Sequence, residues 1–116
     1  MIGILFIRPT EPPSGEPTID GFTRMMAHAL NNVEAGVVEG SYFYGGSGYK
    51  GVHTCSCGAR STNQNYLLDE RHITNSLAVH YLAYHRQEVP KDELIQMLFL
   101  PADEAEPTPK QLQEPL

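Results

Sequence analysis

The chain of 116 residues contains no tryptophan, only two cysteines and no long apolar segment. Its longest uninterrupted apolar runs, such as residues 4–7, are far shorter than the roughly 20 residues that a membrane-spanning helix requires. No basic segment precedes this run, as one would in a secretory signal peptide. We therefore predict a soluble, cytoplasmic protein that does not contact a membrane.

Basic residues are also scarce, since eight lysines and arginines stand against 14 acidic residues and give a net charge of −6. The charge is uneven: residues 1–48 carry −3, residues 49–86 carry +2 and residues 87–116 carry −5. Because nonspecific binding to nucleic acid depends on neutralising phosphates, this balance disfavours such binding by the whole chain. It leaves one locally basic region in the middle.

The two cysteines, Cys55 and Cys57, are separated by a single residue. A disulfide between them would close a strained ring, so the pair fits a reducing compartment. Four of the five histidines lie with both cysteines inside the 33 residues from His53 to His85. Since zinc in proteins favours thiolate and imidazole ligands, this clustering predicts a zinc site.

The remaining pattern predicts an α+β fold: a small antiparallel sheet or hairpin with two to three helices packed on it, stabilised by zinc. Residues 1–100 are expected to form a single domain, and residues 101–116 a disordered tail rich in proline and acidic residues. Strands are predicted at residues 1–8, 37–44, 49–55 and 66–68. Helices are predicted at residues 19–34 with Asp20 as cap, from a Thr74 cap to about residue 86, and after Pro90.

The metal ligands predicted from the clustering form the pattern Cys-x-Cys-x22-His-x4-His, namely Cys55, Cys57, His80 and His85. Two cysteines on one local segment and two histidines on one helix resemble the ββα zinc-finger type over about residues 52–86, within a finger-like segment at 49–86. The resemblance implies that Leu77, three positions before the first helical histidine, packs beneath the metal. The longer insert between the two pairs is expected to hold an added turn or strand pair.

The fourth ligand has two candidates, His85 and His53. If residues 53–57 are extended, His53 lies on the same face as both cysteines, because side chains alternate along a strand. His80 and His85 are five positions apart, which is about 140° around a helix, so their joint ligation requires the helix to loosen at its end. Gly58 is expected to turn the chain and bring the two sulfurs together. We rank His85 before His53.

Three functions are compatible with such a site. The leading hypothesis is a small zinc-binding protein whose structural metal site supports a binding, adaptor or regulatory module for a protein partner. The first alternative is nucleic-acid recognition by the basic middle region, with candidate contacts at Lys50, Arg60, Asn63, Gln64, Asn65, Arg71 and Arg86.

The second alternative is a small enzyme. It would use either a zinc-bound water with Asp69 or Glu70 as base, or Cys55 as a nucleophile beside His53. The sequence contains neither a complete catalytic triad nor a glutamate next to a ligand, so we assign no catalytic residues and favour a non-enzymatic role. The two remaining histidines, His28 and His72, are expected on the surface.

Overall fold

The fold was determined as a computed structural model, which describes residues 2–32, 53–62, 65–69, 71–100 and 103–115. In chain order these contain β1 (Ile2–Gly3), α1 (Gly21–Asn32), β2 (Asn65–Leu67), β3 (His72–Asn75), α2 (Ala78–Tyr84), a 3-10 turn (Arg86–Glu88), α3 (Lys91–Met97) and α4 (Pro109–Leu112). The predicted α+β class is confirmed. The predicted hairpin strands at 37–44 and 49–52 lie outside the described residues.

The sheet has three strands in the order β1-β3-β2, and all four residues of the central strand β3 are buried. The β2 and β3 strands pair antiparallel with Leu67 opposite Ile73, whereas β1 runs parallel to β3 with Gly3 opposite Ile73. The strand predicted at residues 1–8 is limited to its first residues, because Leu5 has a left-handed φ of 60° that ends the extended path.

The segment around Thr74 differs from the prediction. Thr74 lies in β3 and is not a helix cap; its hydroxyl donates to the carbonyl of Ile4 at 2.8 Å across the sheet. The helix begins only at Ala78, and the side chain of Asn75 accepts a hydrogen bond from the Leu77 amide just before it. Thr74 therefore forms part of a strand that pairs with a distant segment, although the local sequence predicts a helix cap at this position.

The α1 helix is capped as predicted, since the Asp20 carboxylate accepts from the amide and the hydroxyl of Thr23. Arg86 donates to the same carboxylate from Nη1 and Nη2 of its guanidinium, at 2.7 and 2.6 Å. This ion pair joins the start of α1 to the residues that follow α2. Met26, on the inner side of α1, is fully buried in the core.

The α2 helix is the centre of the fold, because all seven of its residues are buried. It packs against α1 on one side and α4 on another. No helix in the described ranges is long and apolar enough to cross a bilayer.

The C-terminal residues 103–115 differ from the predicted disordered tail. Thr108 caps α4 in a reciprocal arrangement with Gln111, and Pro109 occupies the first helical position. Leu112 packs against the hydrophobic core, and the amide of Ala105 donates to the carbonyl of Arg24 in α1. One apolar side chain and a few hydrogen bonds thus hold this segment against the rest of the fold, although its composition predicts disorder. The boundary of a single domain at residue 100 stays a prediction.

Candidate metal centre

The two cysteines lie in a tight turn between Thr54 and Arg60, which form an isolated antiparallel bridge. Of the strand predicted at 49–55, the described residues 53–55 contain only this bridge. The Cys55 amide donates to the carbonyl of Ala59, and the Gly58 amide donates back to the carbonyl of Cys55. Gly58 has a φ of 101°, a conformation that side-chain-bearing residues rarely adopt. The turn brings the two sulfur atoms to 3.5 Å from each other. The convergence predicted from Gly58 is therefore present.

The two histidines come from α2 and its end. His80 lies inside the helix, whereas the helix ends at Tyr84 and His85 takes the next position with φ −131° and ψ 33°. A regular helix would separate the two rings by about 140° around its axis. Because the helix ends before His85, its ring turns to the same side as that of His80, and the ring centroids are 5.2 Å apart.

The four side chains meet around one point. The Cys55 sulfur is 3.2 Å from Nε2 of His85, and the Cys57 sulfur is 3.2 Å from Nε2 of His80. All four ligand atoms lie within 4.8 Å of one another. In a tetrahedral zinc site, bonds of about 2.3 Å to sulfur and 2.0 Å to nitrogen place ligand atoms about 3.3–3.8 Å apart. The cluster is therefore a candidate site for a single metal ion.

A hydrogen bond on the outer nitrogen of the ring, Nδ1, fixes the orientation of His80. Its Nδ1 lies 2.8 Å from the carbonyl oxygen of Leu112, which can only accept, so this nitrogen carries the proton and donates. Nε2 consequently presents its lone pair to the thiols. A hydrogen bond of this kind on the outer nitrogen is the usual support for a metal-ligating histidine. Among the described residues, Nδ1 of His85 has no such partner.

Burial sets the protonation of the cluster. Desolvation lowers the pKa of His80 and of His85, so both rings are neutral and able to ligate near pH 7. Desolvation also raises the pKa of the Cys55 thiol, and together with the neighbouring cysteines it raises the pKa of Tyr81 to about 12. An unpaired thiolate is thus unfavourable here, and a bound cation would reverse that cost.

His53, the other candidate for the fourth ligand, is not part of the cluster. Its ring packs edge-to-face on Phe6 with centroids 5.4 Å apart, and its backbone amide donates to the Ser61 hydroxyl. Of the two candidates, the structure brings only His85 to the thiols. Leu77, which the finger resemblance places beneath the metal, is fully buried in the core.

His72 was expected on the surface and is buried instead. Its Nδ1 pairs with the Asp69 carboxylate at 2.9 Å, and its Nε2 lies 3.0 Å from Oε1 of Gln96 in α3. The prediction is wrong because His72 lies in β3, where pairing with β1 and β2 encloses it. Asp69, considered above as a base, is engaged in this pair, and Glu70 lies outside the described residues.

Of the basic residues considered for nucleic acid, Arg60, Arg71 and Arg86 lie in the described part of the chain. Arg86 is engaged with Asp20, and its guanidinium lies over the ring of Phe22. Arg60 and Arg71 are exposed, and Asn65 is half-buried in β2. Lys50, Asn63 and Gln64 lie outside the described residues.

The contribution of α4 to the site was not predicted from the sequence. The carbonyl of Leu112 that holds His80 cannot be recognised from residue type, because any backbone position can supply it. The signal that was present is the stretch from Thr108 to Gln111, a capping box with proline at the first helical position. It marks a helix in a segment otherwise dominated by proline and acidic residues.

Comparisons of the chain with models of known protein families, with curated proteins and with solved structures found no match.

Proposed function

We propose that this protein is a small zinc-binding protein in which Cys55, Cys57, His80 and His85 hold one structural zinc ion. The observation that carries the proposal is the meeting of four ligand atoms within 4.8 Å of one another, three of them on buried residues. Two thiolates and two imidazoles suit zinc better than they suit calcium or magnesium, which prefer oxygen ligands. The neutral rings and the fixed tautomer of His80 support the same assignment.

A structural role follows from the number of ligands. Four protein ligands complete a tetrahedron and leave no position for a substrate or a water molecule, as a catalytic zinc requires. The ion would join the thiol turn to α2 and, through the hydrogen bond from His80 to Leu112, to α4 as well. We also propose that the site follows the zinc-finger plan, in which a turn that carries two thiols faces a helix that carries two histidines. Leu77, which is fully buried in the core, would be the residue that packs beneath the metal.

We further propose that the zinc-stabilised domain serves as a binding or adaptor module for a partner protein. The support is a set of apolar side chains at the end of α3, where Ile95, Leu98 and Phe99 are 54%, 62% and 74% exposed. Grouped apolar side chains on a surface are typical of protein interaction sites. The charged residues in the first turn of α3 would form the polar edge of such a site.

The metal assignment is tested by the zinc content of the untagged full-length protein and by its melting with and without a chelator. We expect one equivalent of zinc, and a large fall in the melting temperature when it is removed. Cobalt substitution adds a readout that does not depend on stability, since tetrahedral cobalt with two thiolates gives visible absorption and thiolate charge-transfer bands. Cys57→Ser should lose the stoichiometric ion, whereas His53→Ala should retain it. Full zinc content in Cys57→Ser would contradict the assignment.

The binding role is tested separately. Leu98→Ser combined with Phe99→Ser should keep the zinc ion and the melting temperature, and should abolish the cross-linking of the protein to its partner in cells. Glu16→Gln, at an exposed position in the loop before α1, is the control and should leave that cross-linking intact. If the double variant retains every cross-linked partner, the end of α3 is not the binding surface.

A further inference from the structure

A cavity of about 510 Å³ lies between the end of α1, the residues just after the thiol turn, and α4. Its walls include two cationic side chains, Arg60 and Lys110, and the described lining residues contain no aspartate or glutamate. Leu30 and Tyr66 supply an apolar part. A volume of this size falls within the range of about 300–1,000 Å³ that small-molecule sites occupy.

The two cations line the same cavity although the chain carries a net charge of −6. Arg24 pairs with Glu106, and Arg86 pairs with Asp20. In the part of the chain that the structure describes, the side chains of Arg60 and Lys110 form no ion pair. Their charges are thus available to a molecule in the cavity, and none of the described lining residues carries a carboxylate that would oppose it.

The walls are held by hydrogen bonds that do not use these charges. The Gln113 side chain accepts from the Arg60 amide at 3.0 Å and donates to its carbonyl at 2.9 Å. The Gln111 amide group donates to the carbonyl of Ala27 and to the side chain of Asn31 in α1. The cavity is therefore formed before any ligand enters, which lowers the entropic cost of binding.

We propose that this cavity binds the phosphate monoester of a small molecule with a flat apolar body. A phosphate monoester carries a charge of about −1.5 to −2 near pH 7, whereas a carboxylate carries −1. Two cations therefore balance the charge of the phosphate more closely than that of a carboxylate. The planar guanidinium of Arg60 can donate two parallel hydrogen bonds to phosphate oxygens, and Lys110 adds a point charge. The body of the molecule packs on Tyr66 and Leu30.

The test is calorimetric titration of the full chain, as purified, with phenyl phosphate, inorganic phosphate, benzoate and phenol. We expect the tightest binding for phenyl phosphate, weaker binding for benzoate and for inorganic phosphate, and none for phenol. Amide chemical-shift changes on adding phenyl phosphate should be centred on Leu30, Tyr66 and α4. Absence of phenyl phosphate binding at millimolar concentration would overturn the proposal, as would binding no tighter than that of benzoate.

A matched pair of double variants separates the cavity from general charge. Arg60→Gln with Lys110→Gln should weaken phenyl phosphate binding at least about tenfold, because it removes both charge-assisted contacts to the phosphate. Arg71→Gln with Lys91→Gln removes the same charge from exposed positions that do not line the cavity and should change the affinity little. Equal losses in the two variants would show adventitious attraction and overturn the proposal.

Discussion

Two helices of equal length, α2 and α3, lie close together in the chain and have opposite environments. All seven residues of α2 are buried, whereas Met97 is the one buried residue of α3. The α2 sequence, from Ala78 to Tyr84, contains no carboxylate, lysine or arginine, while the first turn of α3 contains Lys91, Asp92 and Glu93. A helix that is apolar all round is a core helix, and an amphipathic one covers a surface.

The difference shows where the stability of this small domain resides. A helix of seven residues is marginal by itself in water, so each depends on tertiary contacts. For α2 these are the hydrophobic core and the candidate zinc ligands, of which His80 is fully buried. For α3 they are Met97, the contact from Gln96 to His72 and the Glu93 carboxylate, which accepts from the amide of Leu5. We expect substitutions in α2 to lower stability strongly and substitutions in α3 to affect it little.

The largest effect is expected at His80. Under the zinc assignment proposed above, His80→Ala should abolish stoichiometric zinc and lower the free energy of unfolding by more than about 3 kcal/mol, because a bound ion contributes folding free energy and the core is left with a void. His72→Gln changes another buried histidine, one that contacts α3 instead of the thiols. It should cost about 1–3 kcal/mol for a lost buried hydrogen bond and leave one equivalent of zinc. Urea unfolding with metal analysis measures both; loss of zinc in His72→Gln would contradict the comparison.

The same contrast applies to two leucines. Leu82 of α2 is fully buried, and Leu98 after α3 is 62% exposed. Leu82→Ala should lower the free energy of unfolding by about 2–5 kcal/mol, because it removes buried methyl groups and leaves a cavity. Leu98→Ala should change it by less than about 0.5 kcal/mol. Similar values for the two variants, measured by thermal and urea unfolding, would mean that α3 is covered in solution, for instance by a second copy.

A smaller effect is expected at the ion pair that follows α2. Hydrogen bonds from the Arg86 guanidinium, together with those from Thr23, lower the pKa of Asp20 to about 2, below its ordinary value of 3.8. A lowered carboxyl pKa stabilises the fold above pH 3.8, and this contribution disappears as the pH falls through about 2.

Asp20→Asn should therefore cost about 1 kcal/mol at pH 7, a value reduced because water screens the partly exposed carboxylate. The difference from the unsubstituted protein should shrink progressively below pH 3.8. Glu106→Gln, which removes the exposed pair with Arg24, is the matched control and should be nearly neutral. The measurement is the melting temperature between pH 7 and pH 2.5; a constant difference across that range would exclude the ion pair as its cause.

The contrast between local and distant interactions also explains what could be predicted from the sequence. The thiol pair beside Gly58 and the two histidines near one helix are local patterns, and the structure brings all four together. Helix geometry alone also predicted that His80 and His85 can bind one ion together only if the helix ends near His85. By comparison, Thr74 was misassigned because its hydroxyl bonds to Ile4, 70 residues away, and no local pattern reports that pairing.

The supports of the site were harder to predict than its ligands. Metal ligation restricts residue type to a few side chains, so the sequence displays it. The carbonyl of Leu112 that orients His80 is available at every residue, and only the docking of α4 selects it. The burial of His72 likewise follows from the order of strands in the sheet, which depends on the parallel pairing of β1.

The smallest predicted effect concerns Glu93 and has the opposite pH dependence to that of Asp20. Burial raises the pKa of Glu93, and the charge of Asp92 adds to this, although the hydrogen bond from the Leu5 amide opposes it. A raised carboxyl pKa means that the folded state binds the proton more tightly, so this contribution to stability is present at low pH and is lost as the pH rises through the folded pKa.

Glu93→Gln keeps an oxygen that can accept from the Leu5 amide and removes the charge whose burial is unfavourable. At pH 7 it should therefore raise the free energy of unfolding slightly, by less than about 1 kcal/mol, and the gain should disappear as the pH falls toward 4.5. Glu104→Gln removes an exposed carboxylate and should show no such trend. Destabilisation by Glu93→Gln at pH 7 would mean that the charged carboxylate is needed to hold Leu5, and that α3 contributes more to the fold than its exposure indicates.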